Sequence, residues 1–253
     1  MKGHNKDENK EGEKLEEELK RKLMSVKNIV PDGKNEQIIR NLCHILLNEA
    51  MQMKNEHSMI SRAEKTQSEC YEILNALERN KIIASEAENY MPFYKYDLPL
   101  LVKNAVCASD ILLPHGITVK SRAYSPFFAV CSEKLITRAV CEEALYFCRN
   151  YESGTAEFSA VKKTSCSLLS AKLKSDNQLE IKKDEKMFSV LRKTAQIHGG
   201  AFLIRSEGNS ISFNLSIKNA DCDTAVYRRA PSYIDMLSDR TSSIYIILGS
   251  SRS

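Results

Sequence analysis

The stretch KTAQIHGGAFLIRSEGNSISFNL, residues 193–215, does most to limit the fold. It begins as an amphipathic helix, passes through His198-Gly199-Gly200, and continues as a strand, a turn at Gly208-Asn209 and a second strand. Apolar residues at helical spacing give way to alternation within a few positions, so a period of 3.6 is exchanged for a period of 2. Two consecutive glycines at the exchange let the helix end tightly and lie close to a sheet. A chain that ends its core this way needs a helical layer on a sheet.

The same reading extends back to Asp97. Asp97 suits an N-cap, with Pro99 in the first turn of a helix carrying Leu100, Leu101, Val106 and Ile111. Pro114-His115-Gly116 breaks to a strand alternating Ile117, Val119 and Ser121. Ser132-Glu133-Lys134 opens a helix with Leu135, Ile136, Ala139, Val140, Ala144 and Leu145 on it. Two strands follow, at 155–161 and 165–173, then a charged loop and a helix through Phe188, Leu191 and Ala195. The order α–β–α–β–β–α–β–β predicts an α+β sandwich, helices on one face of a mixed sheet.

Residues 36–90 read as two long helices. Ile38, Leu42, Ile45, Leu46 and Met53 share one face of the first; Cys70, Ile73, Leu74, Leu77, Ile82 and Ile83 recur along the second. The stretch from about 55 to 68 carries a turn or extends a helix. A lone antiparallel hairpin leaves its apolar face uncovered, so a four-helix bundle with a second copy is expected. Residues 1–22 are charged, and Pro31-Asp32-Gly33 marks a turn. At the other end, Ile244, Tyr245, Ile246, Ile247 and Leu248 read as a short buried strand, and Arg228-Arg229 as solvated.

Composition excludes several classes. The net charge of +4 is dispersed among acidic residues, and with no Trp and no basic–aromatic platform nothing argues for nucleic acid. No apolar run reaches the roughly 18–20 residues that span a membrane, and the polar N-terminus is not a signal peptide, so a cytoplasmic location is expected. The eight cysteines contain no CxxC and sit mostly in apolar segments, as reduced structural thiols do; no metal site is expected.

The element order, with His198-Gly199-Gly200 between last helix and last hairpin, resembles the C-terminal half of two-component sensor histidine kinases. Their ATP-binding domain is of the GHKL type. DLPLLVKNAVCASDILLPHGITVKSRA resembles the entry to that domain, and CSEKLITRAVCEEALYFCRNYESGTAEFSAV the N-box helix with the strand after it. The resemblance covers roughly residues 36–217. It implies a dimerisation and phosphotransfer hairpin at 36–95 and an ATPase-like domain at 96–218; a charged segment at 1–35 and a C-terminal extension at 219–253 flank them.

It also implies site residues. The family places an acidic or Asn residue and, four residues on, an Asn that faces magnesium and the phosphates. Here Glu142 and Tyr146 hold these positions, and Tyr146 lies eight residues before Gly154, the spacing expected of the Asn. The family's Asp-x-Gly, whose Asp meets the adenine amino group, is matched by Asp176, with Gln178 where the Gly would stand. Asp176 is read as that remnant or as a loop cap. Residues 177–197 contain no glycine and leave no room for the family's ATP lid. The expectation is a degenerate ATPase-like domain with no cofactor, or ATP and Mg if the site works in altered form.

His44, in LCHILLNEAM, stands where the family's phospho-accepting His would sit, roughly opposite the face of 38, 42, 45, 46 and 53. Ile45 replaces the acidic neighbour, Glu49 lies too far round the helix to substitute, and the Pro is absent, so His44 reads as phospho-acceptor or as ordinary surface. His57, His4 and His115 are read as surface, tail and turn residues, and His198 as packing. The resemblance implies a dimeric scaffold or histidine phosphotransferase for a response-regulator receiver domain, in effect a pseudokinase. The other expectations are a divergent kinase that autophosphorylates His44, and an interaction module without phosphoryl chemistry.

Overall fold

The alternating segments pair into a mixed sheet. A computed structural model describes residues 33–53, 60–85, 92–113, 116–122, 125–220, 224–240 and 242–249. In chain order the elements are α1 (Gly33–Met53), α2 (Ile60–Ala84), β1 (Tyr94–Asp97), α3 (Leu98–Leu112), β2 (Ile117–Ser121), β3 (Phe128–Cys131) and α4 (Glu133–Asn150). There follow β4 (Gly154–Lys162), β5 (Cys166–Lys174), α5 (Glu185–Ile197), β6 (Phe202–Glu207), β7 (Ser210–Lys218), α6 (Tyr233–Ser238) and α7 (Ser243–Leu248). The expectations for residues 1–32, for His57 and for the turn residues 114–115 lie outside the described residues.

Five strands form one sheet in the order β2-β4-β5-β7-β6, with β2 parallel to β4 and the other pairs antiparallel. Alternation sets its two faces. Ala156, Phe158, Leu169, Ala171, Leu173, Ile211, Phe213 and Leu215 turn into the core. Thr118, Lys120, Thr155, Glu157, Lys172, Ser212 and Asn214 stand on the opposite face. Helices α3, α4 and α5 cover the apolar side. Asp97 caps α3 as expected, accepting from the Leu100 amide at 3.1 Å.

The sequence reading omitted β1 and β3, which pair antiparallel from Tyr94↔Cys131 to Asp97↔Phe128 as a separate small sheet. The C-terminal reading needs correction: 243–248 is the helix α7, not a strand. Ile246 packs with Cys43, Leu47, Cys70, Tyr71 and Leu74 of the hairpin, while Ile244, Ile247 and Leu248 join the main core. A helix lodged between two apolar clusters is hydrophobic nearly all round, which hides its period. Gly249 follows it against the Tyr71 ring, where a Cβ would not fit. The Tyr71 hydroxyl donates to the Arg240 carbonyl at 3.2 Å.

The hairpin also differs from the expected face. Among the described residues of α1, Cys43, Leu47 and Ala50 are buried, whereas Ile38, Leu42 and Ile45 are 56%, 54% and 53% exposed. The Met53 side chain lies outside the described residues. No described helix is long and apolar enough to cross a membrane.

Candidate functional site

The last helix fixes the geometry on which the site rests. The Gly200 amide donates to the Ala195 carbonyl at 2.8 Å and the Gly199 amide to Gln196 at 2.9 Å, with Gly199 at φ +66°. This is a Schellman ending, and it demands glycine at the left-handed position. His198 accepts from the Ser132 amide through Nε2 at 3.1 Å, which leaves its Nδ1 proton to donate to the Thr194 carbonyl at 2.7 Å. The ring thus ties the end of α5 to the start of α4, and burial pushes its pKa below the ordinary histidine value. It is a neutral packing residue.

Glu142 and Tyr146 lie one turn apart on α4 and both are buried, at 1% and 3% exposure. Glu142 faces the hairpin. It accepts from Arg79 Nε of α2 at 2.9 Å, from Arg79 Nη2, and from Arg138 Nη2 at 3.0 Å. Arg138, also buried, donates to Glu78 Oε2 at 2.6 Å and to the Asn75 side chain. Burial alone would raise the Glu142 pKa, but the two guanidinium groups outweigh it and hold the carboxyl below the usual range. The neighbouring Glu143 has no such partners, and burial raises its pKa well above the usual range.

Tyr146 packs among rings. Its centroid lies 5.1 Å from Phe213, 5.8 Å from Phe188 and 5.9 Å from Phe147. Its hydroxyl donates to the Lys182 carbonyl at 2.7 Å and accepts from the Lys182 amide at 2.9 Å. Burial, with the Tyr151 hydroxyl beside it, holds the phenol far from ionisation. The segment between β5 and α5 is fastened elsewhere too. Ser175 and Leu179 amides donate to Asn209 and Gly208 carbonyls at 3.1 and 3.0 Å, and the Tyr151 hydroxyl donates to the Glu180 carbonyl at 2.7 Å. Tyr146→Phe removes both hydroxyl bonds to Lys182 and leaves that backbone unpartnered, at about 1–3 kcal/mol. Hydrogen exchange is expected to rise across 178–184 in this variant, with a modest loss of thermal stability.

Asp176 is exposed on the opposite side of the sheet. It lines a groove of about 690 Å³ with Lys120, Arg122, Lys172 and Lys174. The fold therefore places Glu142 and Asp176 in different surroundings, the first enclosed by arginines and the second open to solvent. His44 is half-buried on α1, flanking the face that packs on α2. Sequence reasoning missed Arg79 and Arg138, because their partners are distant in the chain; the only local signal was the i,i+4 spacing of Arg138 and Glu142. Among the described residues no group of His, Cys, Asp and Glu could hold a metal.

No family model and no curated protein matches this sequence. Solved structures do. The histidine kinase AdeS of Acinetobacter baumannii superposes with a TM-score of 0.53 at 11% identity, over 71% of this chain and 96% of that one. Full-length ShkA, solved in complex with AMPPNP, gives a TM-score of 0.59 at 13% identity, over 74% of this chain and 45% of that one. The fold is the one these histidine kinase structures share.

Proposed function

We propose that the chain is a dimeric signalling scaffold or histidine phosphotransferase of histidine-kinase architecture, serving a receiver-type partner through a nucleotide site that has degenerated. One observation carries the reading: the acidic residue at the position of nucleotide chemistry is consumed by Arg79 and Arg138. A carboxylate buried at 1% exposure and already accepting three guanidinium N–H bonds is charge-balanced by the protein and is not presented to a magnesium ion. Tyr146, where a magnesium-ligating Asn would stand, instead holds the Lys182 backbone. The exposed Ile38, Leu42 and Ile45 support pairing of two hairpins in a four-helix bundle, since an isolated monomer gains nothing from baring them. His44, on a different face from these three residues, is the phospho-accepting candidate.

Calorimetric titration with Mg-ATP is expected to give no binding heat up to millimolar nucleotide. Micromolar affinity would overturn the reading in favour of a divergent kinase, with Glu142 and Asp176 as the first positions to vary. The phosphotransfer arm is tested by incubation with a phosphorylated receiver domain. Wild type is expected to gain acid-labile phosphate and His44→Ala to gain none; equal labelling would rule out His44 as the acceptor, and no labelling of wild type would leave an interaction module.

A further inference from the structure

One face of the five-stranded sheet is covered by α3, α4 and α5, and the other carries the charge. On that polar face the register sets Lys120, Glu157, Lys172, Ser212 and Arg205 in one row across all five strands. Lys174 stands two residues along β5 from Lys172, on the same side and about 7 Å away. Arg122 continues β2, its amide donating to the Phe158 carbonyl at 2.8 Å. Lys120, Arg122, Lys172 and Lys174 line the groove of about 690 Å³ with two acidic residues, Glu157 and Asp176. Four positive charges against two negative ones leave a net charge of +2. Among the described residues none of these four cations is in an ion pair. Arg40, Arg79, Lys81 and Arg138, by contrast, each meet a carboxylate. Between its charges the groove presents hydroxyl and amide side chains such as Thr155 and Asn209, and its described lining holds no aromatic ring.

We propose that this groove docks an extended, acidic segment of a partner protein. Unpaired cations gathered on one surface steer and orient a ligand of opposite charge. Alternate side chains of an extended chain repeat at the spacing of Lys172 and Lys174, so two carboxylates of one segment meet both lysines. Lys120 and Arg122, on the strand at the sheet's edge, supply a second pair of cations. Thr155 and Asn209 offer hydrogen bonds to the segment's backbone. The chemistry favours a polypeptide over a nucleic acid. A nucleic-acid strand brings a phosphate at every step, and Glu157 stands between Lys120 and Lys172 to repel it. Discrete carboxylates pass on either side of Glu157. The described lining also offers no ring on which a base could stack. The groove lies on the side of the sheet away from α4, which carries Glu142 and Tyr146. This contact is additional to the receiver-type partner and stands without it.

The test follows the fluorescence anisotropy of a labelled peptide of alternating Glu and Ser, titrated with the whole chain. Saturable binding is expected at about 20 mM salt, weakening steeply by about 300 mM as screening shortens the reach of exposed charges. Lys172→Glu with Lys174→Glu is expected to weaken it about tenfold, two exposed charge pairs being lost and reversed. Lys103→Glu with Lys186→Glu, at exposed positions on α3 and α5, makes the same change of net charge and is expected to bind as wild type. Glu157→Gln is expected to bind more tightly than wild type, which a diffuse attraction would not produce. All these side chains lie on the solvent side, so coincident melting curves are expected; if the Lys172 and Lys174 variant melts early, Lys120→Gln gives the same reading as a several-fold loss. No binding at low salt would overturn the proposal, as would equal losses in the two double variants. Tighter binding of an oligo-dT strand than of the peptide would overturn it in favour of nucleic acid. Salt-sensitive self-association lost in the groove variant, without peptide binding, would overturn it in favour of a second copy.

Discussion

Glu142→Ala is expected to lower the thermal midpoint by roughly 6–20 °C, the equivalent of about 3–5 kcal/mol at 2–4 °C per kcal/mol for a chain of this size. The reason is what the truncation leaves behind. Arg138 is 2% exposed and Arg79 16%, and both lose the carboxylate that offsets their burial. Arg138 keeps Glu78 and the Asn75 side chain, but its Nε already lacks a partner. Replacing Arg79, Arg138 and Glu142 together by apolar residues of similar volume is expected to cost far less than Glu142→Ala. Such networks confer little net stability over a packed apolar contact, while breaking one is costly. A double-mutant cycle between Arg79→Ala and Glu142→Ala in chemical denaturation measures the coupling directly; additive losses would refute it. The pH dependence follows from the direction of the shift. Glu142 titrates lower in the folded chain than in the unfolded one, so its stabilisation is complete above the ordinary carboxylate value of about 4.3. It is lost as pH falls through the depressed folded value, and Glu142→Gln is expected to flatten this acid limb.

Gly200→Ala is expected to be the most damaging of the glycine substitutions near the last hairpin. A Cβ built on Gly200 lands on the Ser216 carbonyl, a backbone atom that cannot swing aside. The same carbonyl belongs to the strand whose Ser216 amide donates to the Ala201 carbonyl at 2.9 Å and whose Ser216 hydroxyl accepts from the Ala201 amide at 2.8 Å. Relief of the clash therefore opens the α5–β7 junction, at a cost of about 3 kcal/mol, the upper end of ordinary overpacking. Gly208→Ala provides the contrast. It has φ +60° but nothing within 4 Å of the added carbon, so only the left-handed backbone term of about 1–2 kcal/mol applies. Equal losses of thermal midpoint in the two variants would show that close approach to the strand is not what requires Gly200.

Segments whose packing is local were legible before any coordinates. Alternation placed β2, β4, β5, β6 and β7, and Asp97 and Ser132 marked the starts of α3 and α4. The Schellman ending at His198-Gly199-Gly200 follows from two glycines after an amphipathic run. What failed was non-local. β1 and β3 are four residues each and pair across an intervening helix and strand, leaving too short an alternation to recognise. The run SIYIIL is compatible with either period, because burial on several sides removes the polar residues that would reveal one. In the candidate site, Glu142 was legible as a position but not in its state. Arg79 is 63 residues away, and the helical spacing on α2 says nothing of which charges will meet α4. The periodicity of α1 marks apolar residues at helical spacing and no more than that. That Cys43, Leu47 and Ala50 rather than Ile38, Leu42 and Ile45 would meet α2 required the second helix.

Helix α7 follows in the chain every element that it touches. On the ribosome the hairpin, the sheet and their covering helices are delivered first, at about 5–20 residues per second, and each is free to fold as it emerges. Through that interval the side chains of Tyr71 and Leu74 and the far edge of the main core lack the residues that cover them, Ile244, Ile246 and Ile247. The joint between hairpin and sheet is thus closed at a late moment of synthesis, and a nascent chain stalled before residue 243 would carry two folded parts with an apolar seam between them.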